Sequence, residues 1–451
     1  MMSSAATSTA ATAAAPTAVA AARAAARAAA PPAADGDDFD DGFDVTAPPV
    51  LHGVPFAGRG RFSILSHLRA AHSSGGGLFG FMTMRESNKL RVQCREARAE
   101  VAAFAWMDAS WEGPYDDVPR VTGNVARWRA AFPAARAVNV SKREDLCDAD
   151  FVHIRGGPGV RLHTVRMREC RGVTDAAFVH LHGIHTLDMS QCKQPTITDA
   201  AFAHLRGIHT LAMQYCNQGE ITDAAFAHLR GIHTLDMHGC RQRTITDAAF
   251  AHLRGIHTLN MGFCDQATIT DAAFAHLAGV HTLDMGLCDQ RTITDAAFAH
   301  LRGIHMLDMG GCRQLTITDA AFVHLAGIHT LNVGTCRQIT DAAFAHLRGV
   351  HTLDMHGCDQ STITDAAFAH LAGIHTLYMS GCNQPTITDA AFVHLAGIHT
   401  LVMPGCSQAT ITPAALVHLR GINNILSRGC SDTFYAAAEV VRCAALRARR
   451  A

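Results

Sequence analysis

The stretch I-H-T-L-A-M-Q-Y-C-N-Q-G-E-I-T-D-A-A-F-A-H-L-R-G, residues 208–231, decides the fold. Its first part alternates, placing Leu211 and Met213 on one side of an extended chain and Thr210 and Ala212 on the other, as in one strand of a sheet. Its second part changes period. Thr222 is placed to cap a short helix, Asp223 in the first turn suits the helix dipole, and Phe226 and Leu229 sit three apart on one face before Gly231 releases the chain. Cys216 stands at the turn between the two parts, a small apolar side chain whose thiol donates weakly to neighbouring backbone.

Working outward, the same block recurs from about residue 170 to residue 430. Cys170, Cys192, Cys216, Cys240, Cys264, Cys288, Cys312, Cys336, Cys358, Cys382, Cys406 and Cys430 mark a period of 24, shortened to 22 after Cys170 and after Cys336. Such a period is too short for two packed helices with their turns, which excludes the helical-pair arrays. The pattern Ile208-x-x-Leu211-x-Met213-x-x-Cys216 followed by Ile221-Thr222-Asp223-x-x-Phe226-x-x-Leu229 is similar to the cysteine-containing leucine-rich repeat. That resemblance implies an α/β leucine-rich-repeat solenoid of about 12 repeats over 136–431, with a parallel sheet on the concave face and short helices on the convex face. A weaker strand candidate, Ala137-Val138-Asn139-Val140, precedes the array, and the unit around His163–Met167 leads into it. The last unit departs from the pattern at Pro413, Leu416, Asn423 and Ser427, and 432–451 reads as a capping helix. The shortened connection at Cys336–Asp341 is expected to bend the array locally while the strand ladder runs unbroken from about His163 to Asn424.

The N-terminal third differs. Residues 1–60 are an alanine-rich stretch followed by the acidic run D-G-D-D-F-D-D-G-F-D (35–44) and a Pro/Gly linker, expected to be disordered because they lack large side chains to bury. The acid-free, arginine-bearing start also fits the loose description of a transit peptide. Over 61–135 a helical module is expected. The motif running from Phe79 and Phe81 through Met84, Leu90, Cys94 and Arg95 to Trp106 resembles the second and third helices of an F-box. The family's Leu/Ile-rich first helix has no counterpart immediately before Phe79, where Ala70–Gly77 stand; Phe62, Ile64, Leu65 and Leu68 can supply it from farther upstream. The resemblance implies docking on a Skp1-type adaptor of a cullin-RING ubiquitin ligase through Phe79, Phe81, Met84, Leu90, Cys94 and Arg95. A helical cap that merely shields the first repeat is the alternative.

Composition restricts the function classes. The formal net charge of −1 argues against a nucleic-acid-binding array, and no apolar run approaches the roughly 20 residues of a membrane span. Lys89, Lys142 and Lys193 are the only lysines, a bias that compositional drift explains as well as ubiquitin handling does. The cysteine row contains no C-x-x-C pair and reads as buried structural thiols, which implies a reducing intracellular compartment, cytoplasm or nucleus. Two histidine rows, His204, His228, His252 and His276 in the helices and His209, His233, His257 and His281 before the strands, lack a fixed third ligand, so no metal site is expected; they read as copied residues making local hydrogen bonds at the convex rim. No Walker loop, H-E-x-x-H, G-x-S-x-G or dinucleotide fingerprint occurs, so neither an enzyme nor a cofactor is expected. What remains is the concave face, where Asp188, Asp236, Asp284, Asp308, Asp354 and Tyr378 form a mainly acidic row suited to a basic, extended protein target. Taken with the F-box resemblance, this implies the substrate-recognition subunit of an SCF-type ligase; the rival is an adaptor-free interaction scaffold.

Overall fold

The computed structural model describes residues 95–103 and 121–450, apart from 122, 156, 158 and 161. They divide into two units that meet along the chain at Val101 and Ala102. The described helix Arg95–Ala103 runs across that boundary. The expected disordered segment and Phe79, Phe81, Met84, Leu90 and Cys94 lie outside the described residues, while Arg95 opens that helix.

The second unit is a solenoid built on one 13-stranded parallel sheet in which every strand pairs with its sequence neighbours. It runs from β1 (Ala137–Asn139) to β13 (Asn424–Leu426), so the weak candidate before the array is a full rung. The register joins like to like, Leu211 beside Leu235 and Leu235 beside Leu259. Leu211, Met213, Cys216, Ile221, Phe226 and Leu229 are all buried, and their equivalents recur in the neighbouring units. Burying a Leu or Phe side chain contributes about 1.5–3 kcal/mol, and here each does so only against adjacent units.

Three inter-unit hydrogen-bond rows reinforce the stack. Each cysteine thiol of the row donates to a carbonyl of the preceding unit, as Cys216 Sγ does to Met189 O at 3.2 Å and Cys264 Sγ to Met237 O at 3.2 Å. Burial pushes the thiols of Cys216 and Cys264 up to about 12, so they stay protonated donors at neutral pH. Second, Thr246 caps its own helix by accepting from Ala248 N–H at 3.2 Å, while its own N–H and hydroxyl donate to the two carboxylate oxygens of Asp223, both at 2.7 Å. The same clasp begins at Asp148–Thr174, outside the cysteine-marked array, and ends at Asp389–Thr412. Pro413 therefore stands where no following threonine needs a carboxylate, and its fixed φ suits the first helical position. The third row is partial: Gln194, Gln218, Gln338 and Gln360 donate to carbonyls of the preceding unit, Gln218 to Cys192 O at 3.1 Å, whereas the buried amides of Gln242, Gln266, Gln290, Gln314, Gln384 and Gln408 make no such bond.

The shortened connection leaves the ladder intact, since β9 (Thr330–Asn332) and β10 (Thr352–Asp354) pair in the common register. Its clasp also survives, with Thr340 N–H donating to Asp319 at 2.8 Å. At the N-terminal end of this unit the buried guanidinium of Arg129 donates to the carbonyls of His153, Ile154, Phe132 and Ala135. At the other end the helix Asp432–Arg450 lies against β13 and the last short helix, and buries Phe434.

Candidate partner-binding face

The sequence predicts a mainly acidic row at the outward position of the strands. In the structure Asp188, Asp284, Asp308 and Asp354 are buried, whereas Asp236 and Tyr378 are half-buried. Each of these carboxylates has local work. Asp188 accepts from Ser190 N–H at 3.0 Å, Asp236 from His238 N–H at 3.1 Å, Asp284 from Gly286 N–H at 3.0 Å, Asp308 from Gly310 N–H at 2.9 Å and Asp354 from His356 N–H at 3.0 Å. Asn260 and Asn332 do the same for Gly262 and Gly334 with an amide oxygen. The position therefore needs a short side chain with an acceptor that holds the strand's exit turn, and charge is incidental to that task. The alternation of Asp with Asn was the available signal in the sequence.

Along the middle of the sheet the next outward position is glycine in four consecutive units, Gly262, Gly286, Gly310 and Gly334. Side chains from the following unit lean over this backbone: a Cβ at Gly310 would lie 2.8 Å from Asn332 Nδ2, and one at Gly334 would overlap the His356 ring. The result is a polar floor. Asn332 Nδ2 donates to Asp308 Oδ1 at 3.0 Å, and His356 Nδ1 lies 2.9 Å from Asp354 Oδ1. Burial first, then the Asp308 charge, pushes the Asp284 carboxyl well above the usual carboxylate range. Asp354 has the opposite influence on His356, which its hydrogen bond raises above the ordinary imidazole value. The floor thus mixes a carboxyl biased towards its neutral form with an imidazole biased towards its cation.

Sequence reasoning missed a second set of residues, at the exit turn just before each cysteine. Here the backbone is left-handed in every unit. Gly239, Gly311, Gly357, Gly381, Gly405 and Gly429 occupy it without strain, whereas Glu169, Gln191, Tyr215, Phe263, Leu287 and Thr335 adopt φ between +56° and +61°. A side chain in this conformation costs about 1–2 kcal/mol, and such strain clusters at functional surfaces. Tyr215 covers Gly239, with the Tyr215 ring edge 2.5 Å from where a Cβ would sit, and Leu287 covers Gly311 while remaining 40% exposed. The guanidinium of Arg241 lies 3.8 Å from the Phe263 ring centroid, a cation–π contact. The signal was the non-glycine residue at a position that is otherwise glycine.

Among the described residues no group of three or more His, Cys, Asp or Glu side chains is placed to hold a metal ion. No described helix is long and apolar enough to cross a membrane.

No family model matches the chain, and no curated protein matches it. Among solved structures it is similar to TLR13 in its complex with ssRNA13, with a TM-score of 0.51 and 17% identity over 67% of this chain and 45% of that one. It is similar also to mouse RP105 in its complex with MD-1, with a TM-score of 0.51 and 16% identity over 71% of this chain and 56% of that one. The chain thus spans about half the length of these matched chains. At such identities the likeness establishes the fold alone: the array is a leucine-rich-repeat solenoid, with a parallel sheet on one face and short helices on the other.

Proposed function

We propose that the chain is a non-enzymatic receptor that holds a protein target on the sheet surface and its exit turns. One observation carries this reading: units that are near-copies in their core and helices differ where the strands face outward. Core Leu187, Leu211, Leu235, Leu259 and Leu283 are invariant, while the outward row reads Asp188, Ala212, Asp236, Asn260, Asp284 and ends at Tyr378 and Val402. The exit turn varies likewise, through Glu169, Gln191, Tyr215, Phe263, Leu287 and Thr335, and keeps these side chains at a cost in backbone strain. The connection after each cysteine varies too, as Lys193, Asn217, Arg241 and Asp265 show, so the variable positions run from the outward strand face through the exit turn into that connection, where a partner can read them. Aromatic and long apolar side chains beside a polar floor are the composition of a protein-binding hot spot.

The finer reading is a substrate receptor of an SCF-type ubiquitin ligase, in which the Phe79–Trp106 motif docks a Skp1-type adaptor and the sheet surface holds the target. Its support is the F-box resemblance of that motif. Co-purification of the full chain with a Skp1-type adaptor tests it. Binding lost on Leu90→Asp or Cys94→Asp, with the array still folded, is the expected result; no binding, or binding indifferent to both changes, leaves an adaptor-free scaffold. The target surface is tested separately by affinity capture with the intact chain and with Tyr215→Ala/Phe263→Ala/Leu287→Ala. Partners retained by the first and lost by the second are expected, and an unchanged set would remove the exit turns from the reading.

A further inference from the structure

At the N-terminal ends of the strands, away from the exit turns, a histidine precedes each strand from Thr164–Arg166 to Thr400–Val402. These rings stack without a break from His163 to His399, with centroids 4.4–4.6 Å apart. His185, His209, His233, His257 and His281 are exposed and the remaining rungs half-buried. Apart from His305, which precedes Met306, each rung sets Nδ1 2.9–3.2 Å from the hydroxyl of the following threonine. A hydroxyl can donate to a neutral Nδ1 or accept from a protonated one, so this bond holds the ring in both states.

The surroundings of the ladder are one-sided. The segments that join helix to strand, such as 203–210, 227–234, 275–282 and 345–352, contain no Asp or Glu in any unit. They carry instead exposed Arg206, Arg230, Arg254, Arg302, Arg348 and Arg420. Arg206, Arg230 and Arg254 donate to Nδ1 of the helix-row His228, His252 and His276 at 3.2–3.3 Å. The groups that face the ladder are therefore its own rungs, threonine hydroxyls, Arg136 beside His163, and these Arg–His pairs. Burial, then neighbouring imidazoles or Arg136, hold His163, His185, His209, His233, His281 and His351 below the ordinary imidazole value, and no carboxylate counters them.

We propose that this histidine ladder is a docking strip for an acidic polypeptide segment, engaged as the imidazoles take up protons. A row of closely spaced cations forming on a rim without a single carboxylate needs counter-charge, and an acidic chain laid along the rim supplies it. Nucleic acid fits less well. The ring faces are consumed in stacking on one another, so no aromatic platform is left for bases, and the permanent charge on the rim is sparse for a phosphate backbone. This inference concerns a different edge of the solenoid and does not rest on the sheet-surface reading.

Fluorescence anisotropy of the full chain with a labelled Glu-rich peptide tests it. Affinity at about pH 5.5 is expected to exceed that at about pH 7.5 by roughly tenfold or more, and to fall with added salt. His209→Gln/His233→Gln/His257→Gln/His281→Gln is expected to lose most of that gain. Should this variant fail to fold by circular dichroism, calorimetry of the unaltered chain in two buffers of different ionisation heat replaces it, with net proton uptake on binding as the expected result. Affinity independent of pH, a folded variant that keeps the gain, or binding without proton uptake overturns the proposal. An oligonucleotide of equal charge that binds as tightly with the same uptake overturns the acidic-polypeptide assignment.

Discussion

Asp284 and Leu287 are three residues apart at one exit turn and carry different costs. Asp284 meets a structural demand, an acceptor for Gly286 N–H, with a group that burial penalises when charged. Its folded-state value is raised well above the free carboxyl value of 3.8. Between these values the folded array keeps a proton that the unfolded chain has released, so its contribution to stability is full below the lower value and is lost as pH rises through the upper one. Asn keeps the acceptor without the charge, as Asn260 and Asn332 show. Asp284→Asn is therefore expected to raise Tm at pH 8 to 9 by the equivalent of at least about 1 kcal/mol and to flatten the decline of Tm with pH; an unchanged profile would show that Asp284 titrates normally. Leu287 pays for its place in backbone strain, and Leu287→Gly is expected to raise stability by about 1 kcal/mol, read by calorimetry as a higher Tm, while weakening target capture. A lower Tm would mean that its packing over Gly311 outweighs the strain. The outward row was visible in the sequence, but its role was not, because an acid that closes a turn and an acid that awaits a partner have the same letter.

Short helices of four residues, such as Asp271–Phe274, are far below the length at which a helix is stable alone. Their persistence here depends on the clasp between units. Asp271 accepts from Thr294 N–H and from its hydroxyl, both at 2.7 Å, while Thr294 caps the next helix through Ala296 N–H. Asp271→Ala removes two charge-assisted bonds and a favourable charge at a helix start, and is expected to cost about 2–3 kcal/mol. Asp271→Asn, which keeps one acceptor, should cost less. Equal losses for the two in thermal unfolding would assign the effect to helix propensity and remove the clasp from the account. The cap within a unit was legible from Thr222-Asp223, because both partners lie in one quoted stretch. The clasp joins residues 23 apart in sequence, as Asp271 and Thr294 are, and becomes visible only once the stacking offset is known. The same holds for the histidines: their period announced a row, but its placement at the strand ends and its ring-on-ring geometry follow from the register of the sheet.

For the solenoid as a whole, each unit meets only its neighbours along one continuous ladder, so stability is a sum of unit and interface contributions and not the property of a central core. The array was legible at this scale because its period, its apolar positions and its turn cysteine agree in nearly every copy. That includes the two-residue shortening, which falls between strand and helix and leaves the pairing of β9 with β10 untouched. The ends are where such a stack is exposed. At the C-terminal end the helix Asp432–Arg450 covers the last rung, burying Phe434 completely beside Phe392, with ring centroids 6.4 Å apart. Without it Ile425, Leu416 and Phe392 would meet water, at a cost of about 1.5–3 kcal/mol for each side chain fully exposed. Since that loss is felt directly by the last units alone, a chain ending at Ser431 is expected to lose hydrogen-exchange protection first in residues 400–426, with the effect fading over the preceding few repeats and absent near β1. Uniform loss of protection along the sheet would show instead that the ladder opens as one cooperative block, and unchanged protection at 400–426 would show that the terminal helix is not its cap.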